Sequence, residues 1–440
     1  MCMLTVKTPD EAAEMIRARF PARGTPPERI GLRHAPGRVL AEDVVAGEYV
    51  PGFDRSTVDG YAVVSADTFG CSDSMPAILT LSGEVLMGEA AGGVLKPGYS
   101  AAVSTGGDLP EGADAVVMLE HTENYGDGSV GILSPAAPGR NIIFKGDDVS
   151  PGDIALPAGT VIAPHDIGIL SAIGCGEVSV RRKVVVGVIS TGDELVDSSR
   201  VPARGQVRDV NSPMLAAAVE RFGAVSKIYG IFPDDERAIR SAVLRAADEC
   251  GIVLISGGSS AGMRDMTARI IESEGEILFH GIAMKPGKPT ILGVIGGKPV
   301  FGLPGHPVAA YFVAELFVRP LIARLMCVGS SGGVGSSGSV GSGGSVGSDV
   351  GAGSAGSAGS AGSAGSRRRR STTARISEAV SSNHGRAEYI AVVLSEEGIA
   401  RPVRSKSGLI ASLAGVDGYI CIPRDSEGLA AGSEVEVVFF

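Results

Sequence analysis

The sequence predicts an α/β and β multidomain protein: a doubly wound α/β domain, a β-rich domain, an N-terminal mixed domain and a small C-terminal β module. Three observations predict it. From residue 184 onward, β-branched runs alternate with amphipathic helical stretches, the rhythm of a parallel sheet covered by helices. Between residues 76 and 160 the apolar runs are short and broken by Gly/Pro turns about every 8 to 12 residues, an all-β rhythm. Residues 329–366 are Gly, Ser, Ala and Val repeats that cannot bury enough surface to fold, which sets off the last strands as a unit of their own. The expected domains are 1–50 with 150–180, 51–149, 181–328 and 371–440, with residues 329–370 as a disordered linker ending in Arg367 to Arg370.

In chain order, residues 8–20 read as a helix. Thr8 is the N-cap, Pro9 suits the first turn, and Ala12, Met15, Ile16 and Phe20 form one apolar stripe. Residues 28–50 read as extended, and residues 51–62 as a polar loop containing Asp54, Arg55 and Asp59. Val184 to Ser190 lacks polar alternation, so it is a strand buried on both faces. A helix over 213–222 follows, with Ser212 as N-cap and Gly223 as its stop. Ala224 to Ile231 is a strand, Asp234 caps the next helix, Gly251 to Ile255 is a third strand, and Met266 to Glu274 a helix with Asp265 at its start. After strands at 277–284, 291–295 and 299–301, a long helix runs to about Met326 with a kink expected at Pro320. Residues 371–440 return to short strands.

Composition narrows the function. The chain has 440 residues, 44% apolar and 20% charged, with a formal net charge of -10, which speaks against a nucleic-acid footprint over the whole chain. The cysteines, Cys2, Cys71, Cys175, Cys250, Cys327 and Cys421, form no CxxC pair, which points to reduced thiols rather than a zinc or disulfide framework. No signal peptide and no membrane span are expected. The most apolar stretch, 311–328, is broken by Glu315, Arg319, Pro320 and Arg324.

The chemistry concentrates at predicted strand ends. Asp193, Glu194, Asp234 and Asp265, with Asp209 and Asp235 nearby in sequence, fall on one rim of the α/β domain. Each alone reads as a cap or solvated turn. Together, like charges on one rim call for a cation, and Mg²⁺ suits a few carboxylates plus substrate oxygens. The small-residue loop 256–262 lets backbone N–H groups approach an anion. Lys285-Pro-Gly-Lys288-Pro holds two ammonium groups near a fixed point, either as an oxyanion site or as a basic surface turn. Residues 302–307 open a helix, another anion position, and His306 there reads as an acid/base group or a plain polar contact.

Eight stretches in order resemble one family, the molybdopterin molybdenumtransferases of the MoeA and gephyrin E-domain group. They are 53–62, 104–106, 145–148, 190–195, 205–211, 256–265, 285–289 and 302–307. The resemblance covers nearly the whole chain apart from the Gly/Ser linker. It implies insertion of molybdate into adenylylated molybdopterin, with Mg²⁺-dependent hydrolysis and release of AMP. It also implies a molybdopterin-binding α/β domain, a C-terminal β-barrel, a cytoplasmic homodimer, and contact with the molybdopterin adenylyltransferase. No membrane or nucleic-acid partner is expected. By motif, it assigns catalysis to Asp59, Thr105, Asp148, Glu194, Asp234 and Asp265, and the metal to Glu194 and Asp265. Substrate and oxyanion binding would fall to Ser190, Thr191, Gly192, Asp193, Ser256, Gly257, Gly258, Gly262, Lys285, Lys288, Pro304, Gly305, His306 and Pro307. The chain departs from the family pattern at His306, where Asn is usual, at Thr57-Val58, at Ser259 and Ala261, and at Val210. The rival readings are a non-catalytic dimeric scaffold of the same fold and an adenylyltransferase-like relative.

Overall fold

The computed structural model describes residues 6–257, 261–329, 370–403 and 406–440, with backbone alone for 261–264. Residues 330–369, which include Arg367 to Arg369 and all but the two ends of the expected linker, therefore lie outside the described residues, as does Gly258.

The α/β domain is a six-stranded sheet. Its spatial order is Val225–Phe232, Val185–Thr191, Ile252–Gly257, Lys298–Leu303, Ile291–Ile295 and Gly275–His280. The first four strands are parallel, Ile291–Ile295 runs against them, and Gly275–His280 is antiparallel to Ile291–Ile295. Successive residues of one strand enter opposite cores. Val186 and Val188 pack with Leu215, Val219 and Phe312, while Ile189 packs with Ile239, Val243 and Ile271. Helices thus cover both faces, which accounts for strands without polar alternation.

Ala115–Met118, Gly60–Val63, Tyr99–Val103, Ala77–Val85, Ser129–Ile132 and Thr122–Asn124 form a mixed six-stranded sheet of their own. Chain on either side of it folds together: Pro27–Gly31 pairs with Glu177–Arg181, and Leu40 shares a core with Leu170 and Val180. At the C-terminus, Ala387–Leu394, Ile399–Pro402, Ser371–Ile376, Glu434–Phe439 and Gly418–Ile422 close into a five-stranded barrel, the last strand pairing back onto the first. The barrel is joined to the α/β domain by Met284–Lys285, which adds in parallel beside Ala387–Leu394 and sets Lys285 opposite Glu388. An aromatic cluster of Tyr311, Phe312, Tyr389, Tyr419 and Phe440 seats it, with ring centroids 5.2 to 6.3 Å apart.

The first helix, Pro9–Arg19, begins as expected: Thr8 and Glu11 exchange side-chain and backbone hydrogen bonds in a capping box. Four local expectations are corrected. Helix Asn211–Arg221 contains Ser212 rather than being capped by it; the carboxylate of Asp209 accepts from the amides of Asn211 and Ser212. Helix Glu236–Glu249 is capped by Asp235, which accepts from the amide of Ala238, so Asp234 is not the cap. Helix Ala261–Glu274 starts before Asp265, which falls in its second turn. The long C-terminal helix has no simple proline kink: Pro307–Val313 and Arg319–Leu325 are joined by a π-helical stretch, Ala314–Val318. A wider turn just before Pro320 relieves the clash between its ring and the preceding carbonyls.

Candidate functional site

The carboxyl ends of the central parallel strands build one wall. In register, Ser190 faces Ser256 and Thr191 faces Gly257. Gly257 is required there, because a Cβ would lie 2.0 Å from Thr191 Oγ1 and 2.4 Å from Thr191 O. Behind the wall, Ser190 Oγ lies 2.7 Å from Ser212 Oγ, and Asn211 Nδ2 donates to Ser256 Oγ (2.7 Å) and Gly305 O (2.9 Å). The bond to the Gly305 carbonyl fixes which end of the amide is the donor. Asn211 Oδ1 is then left buried with no donor. Asn211 is also among the residues lining a cavity of about 630 Å³, with Thr191, Glu194, Ser256, Gly257 and His306. An acceptor left unpaired at a cavity wall calls for a donor from a ligand.

The acids meet at the same edge. The backbone N–H of Asp234 donates to Asp193 Oδ1 at 3.1 Å. Asp234 Oδ1 is buried without a hydrogen-bond partner. Burial, then the charges of Asp193 and Glu194, hold the Asp234 carboxyl above its ordinary range. Repulsion and an orphaned carboxylate oxygen are what a hard cation would relieve, so the donor set fits Mg²⁺ with substrate oxygens and water completing its shell. No three His, Cys, Asp or Glu side chains among the described residues already converge as ligands. Asp265 is exposed on its helix. Gly262 lies in the first turn of that helix.

The basic element lies against the barrel. In Lys285-Pro-Gly-Lys288-Pro, Gly287 has φ +117°, and a Cβ there would press within 3.0 Å of Val313 Cγ2. Lys285 Nζ pairs with Glu388 Oε1 at 2.7 Å, and Ser382 Oγ donates to Glu388 Oε2 at 2.7 Å. Among the described residues the exposed Lys288 has no ion-pair partner. Both lysines line a second cavity of about 630 Å³, with Pro304, Lys406, Ser407 and Glu388. His306 lines both cavities, and its Nδ1 lies 2.7 Å from Ser407 Oγ. Pro307 begins the helix behind His306 and borders the sheet-edge cavity.

Asp59 and Thr105 form a separate pair, and Asp148 stands on the same β-rich side of the chain. Asp59 Oδ1 accepts from the Thr105 amide (2.7 Å) and hydroxyl (3.0 Å), and these bonds hold its carboxyl below its ordinary range. Asp148 is exposed, and its amide donates to Val50 O at 3.0 Å. Among the described residues, no hydrogen bond or ion pair joins this group to the strand-end acids.

Sequence reasoning missed Ser407, Lys406 and Glu388 as wall residues, and it quoted Asn211 without giving it a role. A polar residue two positions after a capping acid is a weak signal for Asn211. The three barrel residues carry no local signal, because a contact about 100 residues away in sequence places them.

Three family models match the chain: the MoeA N-terminal region (domain I and II) over residues 7–174, the probable molybdopterin binding domain over 187–324, and the MoeA C-terminal region (domain IV) over 373–440. A molybdopterin molybdenumtransferase from Haemophilus influenzae is 34% identical over 323 residues, 73% of this chain and 78% of that protein. Another from Staphylococcus aureus is 35% identical over 297 residues, 67% and 71%. A crystal structure of a molybdopterin biosynthesis moeA protein from Pyrococcus horikoshii OT3 superposes with a TM-score of 0.81 at 32% identity, covering 99% of this chain and 100% of that one.

Proposed function

The chain belongs to the MoeA family of molybdopterin molybdenumtransferases, and from that premise we propose that it inserts molybdate into adenylylated molybdopterin, with Mg²⁺-assisted hydrolysis and release of AMP. One observation carries the reading: an acid-bearing cavity at the strand ends and a lysine-bearing cavity against the barrel share a wall at His306. The reaction needs both environments at close range, one for a pyrophosphate with its cation and one for a dianionic oxyanion.

The lysine cavity is assigned to molybdate. Lys288 supplies charge, the Ser407 hydroxyl supplies a donor, and Glu388 holds Lys285 at the rim. The strand-end cavity is assigned to the phosphorylated pterin. Asn211 Oδ1 accepts from the ligand, and the strand-end amides face its phosphates. Bound Mg²⁺ would neutralise charge on the pyrophosphate oxygens. Glu194 would face it there, with the charges of Asp193 and Asp234 behind, in place of the Glu194–Asp265 pair expected from motif. Water adds to phosphorus, the bond to AMP breaks, and the freed molybdopterin takes up the molybdenum; the protein's part is positioning and charge stabilisation. Purified protein supplied with adenylylated molybdopterin, Mg²⁺ and molybdate should release AMP only when molybdate is present. Release indifferent to molybdate would overturn the reading.

Asp59, Thr105 and Asp148 are assigned to the site of a second copy, in a homodimer whose clefts join the β-rich domain of one chain to the α/β domain of the other. Mixing Asp59→Asn with Glu194→Gln chains tests this. A shared cleft restores one intact site in each mixed dimer, about a quarter of wild-type activity after random exchange. A site made within one chain gives no recovery.

A further inference from the structure

We propose that His306 sets the direction in which the Ser407 hydroxyl donates, and so couples oxyanion binding in the lysine cavity to proton uptake by its own ring. The inference rests on the placement of molybdate proposed above. His306 stands at the N-cap of helix Pro307–Val313 and makes no capping bond; its ring reaches the barrel loop instead, Nδ1 to Ser407 Oγ at 2.7 Å. Main-chain bonds hold both partners. Asn211 Nδ2 donates to Gly305 O at 2.9 Å, and the amide of Val308 donates to Ser407 O at 3.2 Å. The ring and the hydroxyl therefore meet at a fixed separation, on the wall common to the two cavities.

A serine hydroxyl has one proton to give. When Nδ1 is bare, Ser407 donates to it and turns only lone pairs toward the lysine cavity, where they repel an oxyanion. When Nδ1 carries a proton, His306 donates and the Ser407 proton is free for the oxyanion. The imidazolium form does this and adds positive charge at the wall. The charged groups sharing the cavities with the ring are Lys285, Lys288, Lys406 and Glu388 on the barrel side, and Glu194, Arg208 and Asp209 on the strand side. Asp209 is committed to the amides of Asn211 and Ser212, and Glu388 to Lys285 and Ser382. A dianion bound beside the ring favours the imidazolium over the neutral imidazole. Molybdate therefore binds with uptake of a proton at His306. An asparagine side chain at this position could not take up that proton, so the coupling rests on the imidazole.

Calorimetric titration of the full chain with molybdate, between about pH 6 and pH 8 and in two buffers of different ionisation enthalpy, tests the idea. Wild type should take up a fraction of a proton and lose about fivefold to tenfold in affinity across that range. His306→Asn, whose amide donates to Ser407 at every pH, should bind with no proton uptake and a flat profile. Ser407→Ala should bind more weakly and with a shallower slope than wild type. Equal proton uptake in wild type and His306→Asn overturns the proposal, and so does a full wild-type slope in Ser407→Ala. Lys288→Gln separates this from the assignment of the cavity. Unchanged molybdate affinity in that variant removes the cavity reading, whereas weakened affinity with no His306-dependent proton uptake removes the present inference alone.

Discussion

Replacing Glu194 by Gln should make the protein more stable and nearly inactive. In the folded chain Asp234 is held above its ordinary carboxyl range, first by burial and then by Asp193 and Glu194. A carboxyl whose folded pKa is raised binds its proton more tightly folded than unfolded. Its contribution is therefore full below the unfolded value and is lost as pH rises through the folded one. At neutral pH the strand-end acids repel one another and work against the fold. Two unit charges about 4 Å apart interact by about 1 kcal/mol in water and about 4 kcal/mol near a protein surface. The rim is partly solvated, so screening reduces the Glu194–Asp234 share to about 0.5–1 kcal/mol. Removing the Glu194 charge should return that amount, a rise of about 1–4 °C in Tm for a domain of this size.

The measurement is denaturation of wild type and Glu194→Gln at pH 4, 7 and 8, with and without Mg²⁺, beside single-turnover release of AMP. The variant's advantage should be present at pH 7 and 8 and shrink toward pH 4, as Asp234 takes up its proton. Mg²⁺ should raise the Tm of wild type more than that of the variant, because only a species binding the folded chain adds stability by mass action. Chemistry should slow by about 10²-fold or more. A variant less stable than wild type at pH 7, or an advantage that grows toward pH 4, refutes the repulsion argument; unimpaired AMP release refutes the role of Glu194.

Gly257→Ala should cost about 1–3 kcal/mol in urea denaturation, because its Cβ would fall 2.0 Å from Thr191 Oγ1 between paired strands; Gly47→Ala, with nothing within 4 Å, should be near neutral in the same assay. Asp209→Ala removes the acceptor for the amides of Asn211 and Ser212 and should cost about 1 kcal/mol, with a loss of substrate affinity as the Asn211 amide is released. Glu315 is fully buried and pairs with Arg221 and Arg319, whose side chains keep 45% and 35% exposure, so Glu315→Ala removes two charge-assisted contacts and should cost about 2–3 kcal/mol by chemical denaturation. A loss below about 1 kcal/mol would mean that water reaches both guanidinium groups once the acid is gone.

The sheet was legible because its cause is local and periodic. Val186, Val188 and Ile189 leave water on both faces of the strand, so the apolar run is continuous and the strand assignment follows from pattern alone. Helix starts were less legible. Asp234 and Asp235 are neighbours of one chemical type, and Asp209 lies three residues before Ser212. Which side chain reaches the free amides depends on a backbone turn that composition does not encode. The distinction has a consequence for function. Because Asp235 takes the cap, Asp234 is left to face Asp193 and Glu194 unneutralised. The cap at Asp235 and the unneutralised carboxyl at Asp234 are the same fact.

The oxyanion wall was illegible for a different reason. Lys285 and Lys288 were visible as a basic turn, yet their surroundings come from another domain. Glu388 meets Lys285 because Met284–Lys285 pairs in register with Ala387–Leu394, and Ser407 meets His306 because the barrel is seated on Tyr311 and Phe312. Parallel pairing of two residues is a weak constraint by itself. Five aromatic rings packed in edge-to-face and tilted pairs add a large apolar area with few rotatable bonds, which fixes orientation at small entropic cost. The rigid half of the proposed site is thus set by sheet hydrogen bonds, and the other half by side-chain packing between domains. A change in the aromatic seat, far from either cavity, should shift Ser407 and Glu388 together while leaving Ser256, Asn211 and Gly305 in place. Oxyanion affinity would then vary independently of pterin affinity, a separation that a site built on a single sheet edge could not provide.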